Sequence, residues 1–240
     1  MRRVGLRHRA RRYRTRVDPD GIRWMLEALR PGDVAVDVGA YKGGYTHAMR
    51  RAVGDAGTVF AFEPQPELAD YLRQCVVAFG WTNVAVVECC LSSRTGRAVL
   101  RLPGRVPSPA ASLVGASLPE GGREVEVDVD TLDHFLAARG AVPPVRVVKC
   151  DVEGHELDVL AGARRTLERD RPLILVECEA RHAPQRRVED VFEYLMELEY
   201  RGFYFWMGGV VDVAQFDVAR QQIEGRRPYG NNFVFVPREA

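Results

Sequence analysis

The chain has 240 residues, 46% of them hydrophobic and 28% charged, the size and make-up of one folded domain able to bury most of its apolar surface. No window is long and apolar enough for a transmembrane span, and no apolar run follows the basic opening residues, so neither membrane insertion nor a secretory signal is expected. The net charge of +1 conceals an asymmetry: eight of the 34 basic residues lie in the first sixteen positions, which hold no acid, leaving 26 basic against 33 acidic residues.

That arginine-rich stretch reads as a solvated arm over residues 1–17, ahead of a single domain over 18–240. Such an arm can touch nucleic acid or an anionic surface. Tyr13 is its only ring suited to base stacking, so nucleic acid is not the expected partner. Cys75, Cys89, Cys90, Cys150 and Cys178 have neither metal nor redox spacing and read as buried thiols, which makes a reducing cytoplasm the expected compartment.

Ile22, Met25, Leu26 and Leu29 recur with helical spacing, so Gly21 to Arg30 is expected to be an amphipathic helix stopped by Pro31 and Gly32. A strand beginning at Val34, a helix over Tyr45 to Val53 and a strand over Thr58 to Phe62 make one βαβ unit. A helix opened by Pro66 and Glu67 runs to Phe79, and a strand spans Val84 to Cys89. Repeated βα alternation with apolar strands means a parallel sheet covered on both faces. The rhythm breaks over about 92–144. There Arg97 to Leu102 and Glu124 to Val129 alternate as strands do, and residues 103–122 are rich in Pro, Gly, Ala and Ser. This reads as an inserted hairpin with a mobile connection, which either reaches the ligand side of the sheet or is only a surface decoration. Regularity returns with strand Val145 to Cys150, helix Leu157 to Arg169, strand Leu173 to Cys178 and helix Val188 to Glu199. Two strands close the chain, Phe203 to Trp206 and Phe233 to Val236.

Among these elements the stretch VAVDVGAYKGGYT, Val34 to Thr46, carries the most chemistry: a strand, a glycine loop and a helix. That arrangement lets backbone approach a nucleotide-like ligand. A dinucleotide fingerprint needs three glycines as G-x-G-x-x-G, whereas Gly39 and Gly43 fit only D-x-G-x-x-x-G. Asp37 before the loop repels phosphate and suits the ammonium of an amino-acid moiety. Glu63, ending TVFAFEP, can accept both ribose hydroxyls. A cationic, phosphate-free nucleoside with an amino-acid tail is S-adenosylmethionine. The expected cofactor-binding residues are Asp37, Gly39, Ala40, Tyr41, Gly43, Tyr45, Thr46, Glu63, Pro64, Cys90 and Leu91.

The glycine loop, FEP, KCDVEGHE (Lys149 to Glu156), VLAGA (Val159 to Ala163) and NNFVF (Asn231 to Phe235) resemble, in this order, the FkbM family of S-adenosylmethionine-dependent methyltransferases. The resemblance covers roughly residues 31–236. It implies a Rossmann-like class I methyltransferase fold, a seven-stranded, mostly parallel sheet with helices on both faces. It also implies O-methylation of a sugar, glycan or natural-product scaffold such as a polyketide. Tyr41 departs from the family, which usually has Asn there.

Methyl transfer to a hydroxyl needs alignment and a destination for the acceptor's proton. Asp151 follows a strand directly and is the best-placed group to touch the acceptor. His155 and His182 are the further base candidates, and Asn231 with Asn232 could orient substrate or serve only a turn. Asp151, Glu177 and Glu179 form a candidate oxygen set for Mg²⁺, while zinc lacks closely spaced Cys and His. The acceptor is expected to be a small molecule or glycan, and a homodimer is an open assembly. The alternatives are a nicotinamide-dependent oxidoreductase, opposed by the missing third glycine, an RNA methyltransferase using the arm, and a noncatalytic protein on the same scaffold.

Overall fold

The structure is a computed structural model that describes residues 5, 8, 11–114, 118 and 120–238. Residues 1–4, 6, 7, 9 and 10 of the arginine-rich arm lie outside the described residues. Of the remainder, Tyr13–Val17 form one π-helical turn leading into helix α1, Pro19–Ala28. Asp18 caps α1 by accepting from the Gly21 amide at 2.9 Å, which satisfies a backbone donor at the helix start.

Five parallel strands form the heart of the sheet: β1 Val34–Val38, β2 Thr58–Phe62, β3 Val84–Val87, β7 Val145–Cys150 and β8 Leu173–Glu177. Strands β4 Cys90–Leu91, β5 Gly96–Leu102 and β6 Arg123–Asp130 lie between them in sequence. Strands β9 Tyr200–Trp206, β10 Gly209–Asp212 and β11 Asn232–Pro237 follow. The order across the large sheet is β10-β9-β11-β8-β7-β1-β2-β3, with β11 antiparallel to both neighbours. The seven strands expected are thus joined by an eighth, the edge strand β10, because Met207 and Gly208, both at positive φ, turn the chain back on β9.

The expected inserted hairpin is present as β5 and β6, paired antiparallel from Gly96↔Val129 to Leu102↔Arg123. It forms a small sheet of its own with β4, which runs parallel to β6. The strand expected over Val84 to Cys89 therefore ends at Val87, and Cys90 and Leu91 change partners to the insertion.

The helices are α2 Gly44–Val53, α3 Pro66–Phe79, α4 Leu132–Ala137, α5 Glu156–Ala161, α6 Arg164–Asp170, α7 Glu189–Glu197 and α8 Val218–Gln221. One helix expected over Leu157 to Arg169 is thus two, α5 and α6. The break has a physical cause: a Cβ on Gly162 would lie 1.9 Å from the Ser92 carbonyl oxygen, and the Asp133 carboxylate accepts from the amides of Arg165 and Thr166, both at 2.8 Å. A side chain from α4 caps the second helix.

Strand side chains alternate between faces. Val36, Val38, Val148 and Cys150 join one core, with Phe60, Phe62 and Phe135. Ala35 and Val147 join the other, beneath α1 and α2, with Ile22, Met25, Met49 and Val53. Asp37 shares the second face with Ala35, and Lys149 shares it with Val147. The β1–β7 register sets Asp37 beside Lys149.

Candidate active site at the strand ends

The glycine loop is held from two sides. The Gly39 and Ala40 amides donate to the Phe62 carbonyl at 3.1 and 2.9 Å, fastening the loop to the end of β2. Gly39 has φ +74, and a Cβ there would fall 1.9 Å from the Asp151 carbonyl oxygen. Glycine is therefore required by the neighbouring end of β7, on top of any ligand that comes close. Tyr41 has φ +47, a left-handed conformation that Asn adopts more readily than an aromatic residue. Its amide donates to Glu63 Oε2 at 2.8 Å.

Glu63 is 2% exposed. Its Oε1 accepts from the Gln65 amide at 2.9 Å, so each oxygen already holds one backbone donor and keeps a lone pair. Burial pushes its carboxyl from 4.5 up to about 7, although the two amides pull the other way. Asp37 is wholly buried; its Oδ2 accepts from Thr46 Oγ1 at 2.5 Å. Its Oδ1 accepts no hydrogen bond and lies 3.6 Å from Lys149 Nζ.

One cavity of about 830 Å³, counting its open mouth, brings together Asp37, Gly39, Ala40, Tyr41, Tyr45, Glu63, Pro64, Cys90, Leu91, Asp151 and His155. Two residues of the expected cofactor set stand back from the wall. Gly43 supplies the left-handed turn (φ +75) that starts α2, and Thr46 acts through its bond to Asp37. Burial pushes the Cys89 thiol up to about 12 and the Cys90 thiol higher still, so both remain protonated, apolar wall. The insertion closes one side with Leu100, Pro109, Ala111 and Leu113. It is fastened there by paired bonds between the Gln65 side chain and the Ser108 backbone, both 2.9 Å. Ser112 Oγ also donates to the Glu153 carbonyl at 2.6 Å.

The three expected catalytic residues separate. Asp151 and His155 line the cavity. His155 Nε2 is 2.9 Å from Ser92 Oγ and Nδ1 is 3.3 Å from Asp158 Oδ2. Burial holds its pKa below the usual value despite Asp158, so the ring is neutral near pH 7. His182 lies outside the cavity wall, with Nδ1 2.8 Å from Glu153 Oε2. Burial opposes its charge, but the Glu153 hydrogen bond and the charges of Glu153 and Glu179 outweigh it and raise the pKa. The pair thus favours the charged form of His182, which makes it a less suitable base than a group in the cavity.

The Mg²⁺ set also comes apart. Glu179 Oε1 accepts from Asn231 Nδ2 at 2.9 Å, and its Oε2 accepts from Tyr229 at 3.0 Å and from Arg181. Glu177 accepts from the same Asn231 amide at 2.7 Å, and burial with the nearby charge of Asp151 raises its pKa well above normal. Among the described residues no three His, Cys, Asp or Glu side chains converge as metal ligands. Asn231 thus clamps two carboxylates, a firmer role than a turn residue. None of the described helices is long and apolar enough to cross a membrane.

Residues 37–205 match the Methyltransferase FkbM domain. The chain belongs to the FkbM methyltransferase family. Hexuronic acid methyltransferase AglP of Haloferax volcanii is 35% identical over 154 residues, covering 64% of this chain and 59% of that protein. The 31-O-demethyl-FK506 methyltransferase FkbM of Streptomyces tacrolimicus is 31% identical over 163 residues, covering 56% and 60%. The chain thus spans about three fifths of the length of these relatives. The crystal structure of a methyltransferase FkbM from Methylobacillus flagellatus superposes with a TM-score of 0.54 at 16% identity, over 89% of this chain and 50% of that one. It shares the Rossmann-like class I methyltransferase fold.

Within this FkbM domain, sequence reasoning overlooked Lys149, Gln65, Ser92 and Asp158. Lys149 had a visible signal, as one of two lysines in the chain. The other three are ordinary surface residue types that only the fold turns inward.

Proposed function

We propose that the chain is an S-adenosylmethionine-dependent O-methyltransferase acting on a hydroxyl of a sugar, glycan or natural-product scaffold. The observation that carries this reading is the shared cavity. Two buried carboxylates, Asp37 and Glu63, end adjacent strands around a glycine loop, and Asp151 ends the strand on the other side of β1. Carboxylates at both positions repel a pyrophosphate, which disfavours a nicotinamide dinucleotide. The unfilled Oδ1 of Asp37 is suited to a cationic amino-acid moiety, and the remaining lone pairs of Glu63 are suited to two ribose hydroxyls.

The cofactor would supply an activated methyl group. The chain's own residues would then orient the acceptor and take its proton. In this reading Asp151, at the loop's edge, accepts the hydroxyl proton as the new C–O bond forms. Neutral His155, with its Nδ1 proton directed to Asp158 and its Nε2 accepting from Ser92 Oγ, forms part of the wall against which the acceptor lies. The names of the relatives, a hexuronic acid methyltransferase and a 31-O-demethyl-FK506 methyltransferase, support a sugar acid or an O-demethylated natural product as the kind of acceptor.

Isothermal titration with S-adenosylmethionine and with NAD tests the cofactor. The expected result is binding of the former alone, and binding of NAD alone would overturn the proposal. Mass spectrometry of candidate glycans and polyketides, incubated with protein and cofactor with and without EDTA, then seeks the gain of one methyl group.

A further inference from the structure

Lys149 is a lysine only 5% exposed, and a buried ammonium is costly unless its donors are used. Several of its partners belong to the proposed site. Nζ donates to the carbonyls of Val38 at 3.3 Å and Gly39 at 3.1 Å. It lies 3.6 Å from Asp37 Oδ1 and 3.3 Å from Asp151 Oδ2, and 5.4 Å from the centre of the Tyr45 ring. One side chain thus ties together the end of β1, the glycine loop and the carboxylate that follows β7.

The charges are also matched. Two carboxylates and one ammonium leave this triad with one net negative charge. S-adenosylmethionine, with its sulfonium, ammonium and carboxylate, carries one net positive charge. The demethylated product is neutral. If the acceptor proton passes to Asp151 as the methyl group leaves sulfur, the assembly is neutral before and after the step. Little net charge then has to be rearranged during the step.

We propose that Lys149 is a positioning residue for methyl transfer: it holds the Asp151 carboxylate against the sulfonium end of the cofactor and fixes it to the glycine loop. This inference rests on the S-adenosylmethionine reading. Its consequence is readable without an acceptor, because a carboxylate facing the sulfonium favours the cationic cofactor over neutral S-adenosylhomocysteine.

The test is a double-mutant cycle on the ratio of affinities for these two ligands, measured by calorimetry for wild type, Asp151→Asn, Lys149→Met and the double variant. General damage to the pocket moves both affinities together and cancels in the ratio. With Lys149 present, Asp151→Asn is expected to lower the preference for S-adenosylmethionine by about tenfold. With Lys149→Met the same change should lower it by less than about twofold, because the carboxylate is no longer held in place. If Lys149→Met does not fold, since it strips buried Asp37 of its counter-charge, the cycle is run with Asp37→Asn in all four proteins. Equal effects of Asp151→Asn in both backgrounds overturn the role of Lys149 while leaving the cofactor reading intact. Wild-type protein that binds neither ligand overturns the cofactor reading and this inference with it.

Discussion

Gly39→Ala tests the packing at the centre of the site. Two separate costs meet at this position. An L-residue at φ +74 adopts the left-handed conformation at about 1–2 kcal/mol. The new Cβ would lie 1.9 Å from the Asp151 carbonyl oxygen, a backbone atom that cannot swing aside, so β1 and β7 must separate slightly. Overpacking of that kind costs about 1–3 kcal/mol. The sum, about 2–5 kcal/mol, corresponds to a Tm lower by about 5–20 °C for a chain of this size. Gly80→Ala is the control: Gly80 has φ +63, and a methyl group there would meet nothing within 4 Å, so it should lose only the conformational part. Thermal unfolding followed by circular dichroism reads both variants. A Gly39→Ala protein that melts within about 2 °C of wild type, or no lower than Gly80→Ala, would refute the close approach of the loop to β7.

Three further outcomes follow from the same geometry. The Glu63 carboxyl rises from 4.5 to about 7 on folding, so its contribution to the free protein's stability is present below pH 4.5 and lost as pH climbs through 7. Ribose hydroxyls prefer the ionised form, so S-adenosylmethionine affinity should rise by up to about tenfold between pH 6 and 8. A Glu63→Gln variant that keeps this dependence in calorimetry would locate the titrating group elsewhere. Tyr41→Asn should raise Tm by about 1–4 °C, since Asn accepts a left-handed backbone more readily; a fall in Tm would mean the Tyr41 ring contributes more than its strain costs. Gln65→Ala removes both bonds that hold Ser108 and should expose the segment around Arg105 to trypsin several-fold faster, whereas unchanged cleavage would show that other contacts secure the insertion.

Much of the frame was legible from residues alone. The parallel strands announce themselves as short apolar runs such as Val34–Val38 and Val145–Cys150, because a strand buried on both faces has no polar side to show. Asp37, Gly39 and Glu63 were legible because a strand, a tight loop and a terminal acid are local in sequence. Local pattern could not say where helix α5 ends, since that depends on Asp133 reaching the amides of Arg165 and Thr166 from another element.

The sequence by itself determined the alternation of strands and helices, the glycine loop and the acids at the strand ends, all properties of neighbouring residues. The tertiary structure decided which of those acids serve the cavity. By placing β7 directly against β1, it sets Lys149 beside Asp37, more than a hundred positions away. It folds Leu100 to Leu113 over the cavity, and it turns His182, Glu177 and Glu179 into a separate cluster held by Glu153 and Asn231. An ammonium or imidazolium takes its role from the charges that surround it after folding, and those charges come from distant segments that only the sheet order brings within a few ångströms.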